Sequence, residues 1–255
     1  CNAVQDQMTI TITPPPIVNA GADDVYCANN PAISLSGSVT IASGATWSGG
    51  SGSFNPNANA LNATYTPSQS EINAGILTLT LSSTGNGLCV VVTDDVTYTF
   101  SPAPTADAGI DQSLCANNSV ASLTGVVTIA TGGTWSGGTG AFSNANSLNT
   151  TYTPSAADIA AGTVTLTLTT TGNGDCNVVT DNVILTYTPA PTANAGLDRT
   201  VCANSADVSL NGSVSIATGG IWSGGSGTFA PDANTLNAVY TPSADDITNG
   251  TVTLT

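Results

Sequence analysis

The chain repeats itself almost three times, and this self-similarity limits its fold more than any other feature. Asn19-Ala-Gly-Ala-Asp-Asp-Val-Tyr-Cys27-Ala-Asn-Asn30 returns as Asp107 to Asn118 and again as Asn194 to Ser205. The block Trp47-Ser-Gly-Gly-Ser-Gly-Ser-Phe54 returns at Trp135 to Phe142 and at Trp222 to Phe229. The period is about 87 to 88 residues, the size of one small domain. Cys1 to Ile10 match Cys89 to Tyr98 and Cys176 to Leu185, and Thr251 to Thr255 match Thr163 to Thr167. The expected organisation is the last strand of a preceding repeat at 1–15, then repeats at 16–103 and 104–190. A third repeat at 191–255 lacks its last strand. The sequence reads as an interior window of a longer chain.

Within each repeat the apolar residues alternate. Leu77, Leu79 and Leu81 alternate with Thr or Ser, as do Val164, Leu166 and Leu168 with Thr. Val96, Tyr98 and Phe100 form a last strand, matched by Val183, Leu185 and Tyr187 and by Met8, Ile10 and Ile12. Ile33, Leu35, Val39 and Ile41 read as an early strand. Period two with Thr on the outer face predicts strands buried on one side, as in antiparallel sheets packed face to face. One short helical turn is expected at Ser68 to Gly75, where a capping-box pattern ends on Gly. It recurs at Ser155 to Gly162 and Ser243 to Gly250. About seven strands per repeat, with one Trp and two Cys, predict an all-β chain of tandem immunoglobulin-like β-sandwiches. Pro14-Pro-Pro16, Pro102-Ala-Pro104 and Pro189-Ala-Pro191 are stiff linkers. They predict an extended rod with roughly 35 to 45 Å per repeat.

Composition excludes several functions. Against 16 acidic residues there is one basic residue, Arg199, and no His, so the net charge is -15. One cation cannot displace the counterions of a nucleic acid, nor hold an anionic membrane surface. Nucleophilic catalysis has no His or Lys base, and His-ligated metals are ruled out. No apolar run is long enough to span a bilayer, so direct membrane insertion is not expected. The carboxylates form no pocket pattern, and the chain is not expected to be an enzyme.

Two cysteines per repeat, in register, read as disulfides formed in an oxidising compartment. Pairing within repeats, Cys27–Cys89 and Cys115–Cys176, closes loops of about 62 residues and stabilises by about 4 kcal/mol on the chain-entropy model. Pairing across linkers, Cys89–Cys115 and Cys176–Cys202, would require the chain to turn back over a Pro-x-Pro junction. The within-repeat scheme is therefore expected, with Cys1 and Cys202 paired outside the window. Trp47, Trp135 and Trp222 are expected in the core, the alternative being exposed platforms for sugars. Asp6, Asp94 and Asp181 share one repeat position, and Asp23, Asp111 and Asp198 another. Near the junctions, such oxygens suit calcium, or they cap turns and solvate strands. No other cofactor is expected.

The Ala-Gly-x-Asp…Cys opening, the Thr-Trp-Ser-Gly-Gly-x-Gly-x-Phe block and the Cys…Thr-Asp-x-Val-Thr-x-Thr closing strand carry a resemblance. They resemble immunoglobulin-like and PKD-like tandem repeats of giant secreted surface adhesins or filament proteins of Bacteroidota. The resemblance implies export by the type 9 route and a role in adhesion, gliding or surface fibres. The expected function is a structural stalk of an extracellular, cell-surface adhesin or filament that gives reach and strength. Its expected partners are copies of itself, associated laterally. The alternatives are a module that binds cell-surface glycans and a calcium-stiffened spacer.

Overall fold

The computed structural model describes residue 1 and residues 3–255. The first full repeat has nine strands and one helix: β1 (Ile17–Asn19), β2 (Asp24–Cys27), β3 (Ile33–Ser34), β4 (Ser38–Thr40), β5 (Gly44–Ser48), β6 (Ser53–Asn55), β7 (Thr64–Thr66), α1 (Gln69–Ala74), β8 (Ile76–Thr84) and β9 (Thr93–Ser101). The second repeats this order as β10 (Thr105–Asp107), β11 (Gln112–Cys115), β12 (Ala121–Thr124), β13 (Val126–Thr128), β14 (Gly132–Gly137), β15 (Ala141–Phe142), β16 (Asn149–Thr153), α2 (Ala156–Ala161), β17 (Thr163–Thr171) and β18 (Thr180–Thr188). The chain is a tandem array of immunoglobulin-like β-sandwiches, as the alternating pattern predicts.

In each full repeat one sheet has four strands, in the orders β2-β9-β8-β5 and β11-β18-β17-β14. The facing sheet has three, β3-β7-β6 and β12-β16-β15, and a short pair, β1-β4 or β10-β13, stands beside them. The long hairpin β8–β9 sets Leu79 opposite Val96 and Leu77 opposite Tyr98, so alternate residues of both strands enter the core together. Leu79, Leu81 and Val96 are fully buried, as are Leu166, Leu168 and Val183 in the second repeat. Each repeat closes its own core around these residues.

The first strand of the large sheet runs parallel to the last. Asp24 lies opposite Tyr98 and Cys27 opposite Ser101, and Cys115 takes the same place opposite Thr188. This register decides the cysteine pairing described below.

The early strand is split. Ile33 and Leu35 point into the sandwich, but β3 and β4 belong to different sheets. The break falls at Gly37, where a Cβ would lie 2.8 Å from both the Trp47 ring and Leu81 Cδ2. Backbone thus packs directly on the tryptophan, and Gly125 repeats this beneath Trp135. Beyond the break Ile41 is exposed, not buried as the period suggests.

The third repeat is less complete. It has β19 (Thr192–Asn194), β20 (Val208–Ser209), β21 (Ser213–Ser215), β22 (Thr228–Ala230), β23 (Val239–Thr241) and α3 (Ala244–Asn249). Its small sheet β20-β23-β22 forms, and Thr255 and Ser223 exchange two backbone hydrogen bonds of 2.8 Å. The described residues do not include those that would match β9 in this repeat. Leu210 is half-buried, where its counterparts Leu35 and Leu123 are buried. Met8, Ile10 and Ile12, the matching last-strand residues of the first segment, are exposed and unpaired.

Candidate functional site

The most specialised chemistry lies where one repeat meets the next. Cys27 ends β2 and Cys176 precedes β18, and the two form a disulfide across the Pro102-Ala-Pro104 linker. Their Cα atoms are 5.1 Å apart, and 149 residues separate them in sequence. Both sulfurs lie 3.9 Å from the Pro102 carbonyl oxygen. The bond therefore joins the first cysteine of one repeat to the second cysteine of the following repeat.

This corrects the expected pairs Cys27–Cys89 and Cys115–Cys176. The cause is the parallel register of the first and last strands. Cys27 sits at the C-terminal end of its strand, level with Ser101. Cys89 precedes the N-terminal end of the neighbouring strand, about twelve residues from Ser101, which is roughly 40 Å of strand. The two cysteines of one repeat therefore lie at opposite ends of the sandwich. The end carrying Cys27 meets the next repeat, and there Cys176 presents itself.

Hydrogen bonds surround the disulfide. Asn29 Nδ2 donates to the Asn177 carbonyl and Asn30 Nδ2 to the Asp175 carbonyl, each at 3.0 Å. In return Asn177 donates its backbone N–H to Asn29 Oδ1 at 3.0 Å and its Nδ2 to the Asn29 carbonyl at 2.6 Å. Cys27-Ala-Asn-Asn30 is held as a tight turn by Asn30 N–H donating to the Cys27 carbonyl at 2.9 Å. Opposite it, the Cys176 N–H closes the Gly172-Asn-Gly174 turn on the Asn173 carbonyl at 3.2 Å. The sequence showed both loops and both cysteines. What it did not show was that the asparagines after one cysteine face the backbone around the other.

A second recurrent device lies in each sandwich. Tyr65 donates its hydroxyl to Glu71 Oε1 at 2.8 Å, Tyr152 to Asp158 Oδ2 at 2.6 Å, and Tyr240 to Asp246 Oδ2 at 2.7 Å. The same carboxylates close the helix capping boxes through Ser68, Ser155 and Ser243. They also accept the backbone N–H of Ser51, Thr139 and Ser226 in the Gly-rich loop after the tryptophan. Burial pushes the Asp158 carboxyl up, but hydrogen bonds from Tyr152, Ser155 and Thr139 outweigh it and hold the group well below the usual range. For Asp246 the Tyr240 hydroxyl is the main cause, and the shift is again downward. Burial and the Glu71 carboxylate push the Tyr65 phenol up to about 12. The capping box was legible; its link to a tyrosine six residues upstream was carried by the recurring Tyr-Thr-Pro-Ser-x-x-Glu/Asp spacing and was missed.

The aspartates proposed for calcium have other partners. Asp94 and Asp181 accept the N–H of Ala20 and Ala108 at 2.8 and 2.7 Å. Asp23 and Asp111 accept those of Thr97 and Ile184, each at 2.8 Å. These carboxylates pin the opening segment of a repeat to its last strand. Asp6 accepts from its neighbour Gln7, and Asp198 is exposed. Among the described residues no three His, Cys, Asp or Glu side chains come together as metal ligands. Trp47, Trp135 and Trp222 are buried, and each donates its indole N–H at 3.2 Å to a carbonyl, of Leu61, Leu148 and Leu236.

An isoleucine recurs in an unusual place. Ile41, Ile129 and Ile216 have φ of 70°, 66° and 65°, a region that β-branched residues avoid. Around the latter two, Ala130 N–H donates to Thr128 and Ala217 N–H to Ser215 at 2.7 Å, the bond of a strained γ-turn. All three side chains are more than half exposed.

No protein-family model matches the chain, and no curated protein matches it. Similar solved structures include titin domains I67–I69, at 10% identity and TM-score 0.40 over 90% of this chain and 87% of that one. Mouse protocadherin-24 EC1–3 is similar at 11% identity and TM-score 0.40, over 94% and 87%. Drosophila N-cadherin EC1–4 is similar at 11% identity and TM-score 0.35, over 69% of this chain. The chain spans half the length of that cadherin fragment. Among the described residues no helix is long and apolar enough to cross a membrane.

Proposed function

We propose that this chain is a load-bearing stalk segment of an extracellular adhesin or surface filament, built to hold a fixed reach. The observation that carries the reading is the Cys27–Cys176 bond across the junction. A binding module needs no covalent bridge between its repeats, whereas a member under tension is weakest at its linkers. Two of the Pro-rich linkers carry a cysteine sulfur against the first Pro of the linker in the same way as the bridged one. The disulfide supports an oxidising setting, and an extracellular one belongs to the same reading. Cell-surface display and export by the type 9 route rest on the sequence resemblance alone.

Lateral self-association belongs to the same reading. Holding an exposed β-branched residue at positive φ costs on the order of 1–3 kcal/mol, and this chain does so once per repeat. Ile41, Ile129 and Ile216 are thereby spaced at the repeat period, so a parallel copy in register offers the same spacing. The glycan reading is weakened by the buried tryptophans, and the calcium reading by the hydrogen-bonded aspartates. Electron microscopy of native surface material tests the proposal. Fibres of several chains with an axial period of a few nanometres support it. Isolated single threads rule out lateral association, and flexible, kinked threads rule out the stalk.

A further inference from the structure

Four cysteines are unpaired in the structure: Cys1, Cys89, Cys115 and Cys202. Two of them occupy the seats that the disulfide occupies elsewhere. Cys115 Sγ lies 3.8 Å from the Pro189 carbonyl, as Cys27 Sγ lies 3.9 Å from that of Pro102. Cys89 Sγ lies 3.6 Å from the Pro14 carbonyl and 3.5 Å from Thr13 Oγ1, as Cys176 Sγ lies 3.9 Å from Pro102. The turns of the half-clasps are in place around them, although Val90 stands where the bridged junction has Asn177 and cannot repeat its side-chain donation. Cys115-Ala-Asn-Asn118 carries the asparagines that grip the partner loop at the bridged junction, and its turn closes with Asn118 N–H on the Cys115 carbonyl at 2.8 Å. Cys89 is presented by the same Gly-Asn-Gly turn as Cys176, with its N–H on the Asn86 carbonyl at 3.1 Å.

We infer that Cys115 and Cys89 are each one half of a further bridge of the same type, so that every junction of the array is clasped. Cys115 bonds the second-position cysteine of the repeat that follows Pro189. Cys89 bonds the first-position cysteine of the repeat that precedes Pro14. By the same rule Cys202 bonds a second-position cysteine one repeat further on, and Cys1 a first-position cysteine further back. Each bond forms from two thiols with loss of two protons and two electrons. A disulfide-donating oxidant accepts them, and its own disulfide leaves as a dithiol.

The rule has a mechanical consequence, which rests on the stalk reading. Successive bridges overlap, because Cys115 lies inside the loop closed by Cys27–Cys176. Every residue of a continuous array therefore falls within at least one closed loop. The shortest covalent path crosses one bridge of 149 residues, then follows the chain from Cys176 to Cys202 before the next bridge. That path contains about 26 residues for every two repeats, or roughly 90 Å when fully drawn out. Two folded repeats in a rod occupy roughly 70 to 90 Å on their strand lengths. An oxidised array can then barely lengthen under load, even when a sandwich in it unfolds.

The test is disulfide mapping of the full-length protein taken from its native source. Free thiols are blocked with N-ethylmaleimide under denaturing conditions, and the protein is digested with pepsin at low pH, where exchange is slow. The chain's single Arg makes trypsin unsuitable. Expected are a Cys27–Cys176 peptide pair, Cys115 joined to a Gly-Asn-Gly-x-Cys peptide, and Cys89 joined to a Cys-Ala-Asn peptide. Recovery of Cys27–Cys89 or Cys115–Cys176 overturns the rule, as does maleimide on Cys89 or Cys115. Reduction should leave the denatured protein a single chain, heavier only by two hydrogens per bridge; a fall to smaller chains would mean bridges between chains and would also overturn it. None of these outcomes depends on whether fibres form, so the pairing rule and the stalk reading fail separately.

Discussion

Pulling a single 255-residue molecule from its two ends should reveal how much chain the bridge hides. The covalent path runs from residue 1 to Cys27, crosses to Cys176 and continues to Thr255. The 149 residues of the loop carry no tension while the bond is closed. Reduction should add their contour, roughly 500 Å at about 3.5 Å per residue. Single substitutions separate this arrangement from bridges inside each repeat. Cys176→Ser should release the whole roughly 500 Å, and Cys89→Ser should release nothing. Bridges within repeats would instead give roughly 210 Å for either variant, the contour of about 60 residues. Force spectroscopy in an oxidising buffer, repeated after a reductant is added, reads these lengths directly. A gain of roughly 210 Å in Cys89→Ser would refute the argument from parallel strand register.

Tyr152→Phe removes a hydroxyl that donates to Asp158 at 2.6 Å and accepts the Gly140 N–H at 2.8 Å. Thermal unfolding should show a loss of about 1–3 kcal/mol; no change would mean the loop and helix are held by other contacts. Gly125→Ala places a methyl 2.7 Å from Leu168 Cδ2 and 3.0 Å from the Trp135 ring. It should cost about 1–3 kcal/mol through overpacking, read by denaturant titration, and neutrality would show that the core yields there. Glu71, Asp158 and Asp246 all have carboxyls held below their usual values. Their stabilisation is complete above the unfolded-state values of about 4 and is lost as pH falls toward the folded-state values. Melting temperature should decline below about pH 4, and a flat profile to pH 2 would contradict the shifts. Replacing Ile41, Ile129 and Ile216 with Asn, which tolerates positive φ, should leave each repeat as stable or more so. The same triple variant should weaken lateral association in sedimentation, and unchanged association would remove the isoleucines from the interface.

Much of the fold could be read from the chain because its signals are local. Alternation in Leu77 to Leu81 and Val164 to Leu168 needs only the two-residue period of a strand to mark the buried face. The Ser68, Ser155 and Ser243 caps and the glycines that end the helices act within one turn, so they too were visible. Ile33 to Ile41 misled for the opposite reason. Their spacing suits one strand, but the chain must change sheets where Gly37 lies against Trp47, and that contact joins residues ten apart. The aspartates left two readings open because a carboxylate that binds calcium and one that accepts a backbone N–H are the same residue in a sequence.

The repeat, the strands, the buried tryptophans and the two cysteines per repeat are all legible in the chain, since each follows from short-range chemistry and count. Which cysteines meet depends on how the strands assemble. A cysteine has no preferred partner until the register of the first and last strands assigns it to one end of the sandwich. Parallel pairing sent Cys27 and Cys89 to opposite ends, and the linker at Pro102 then brought Cys176 of the next repeat to within 5.1 Å of Cys27 between Cα atoms.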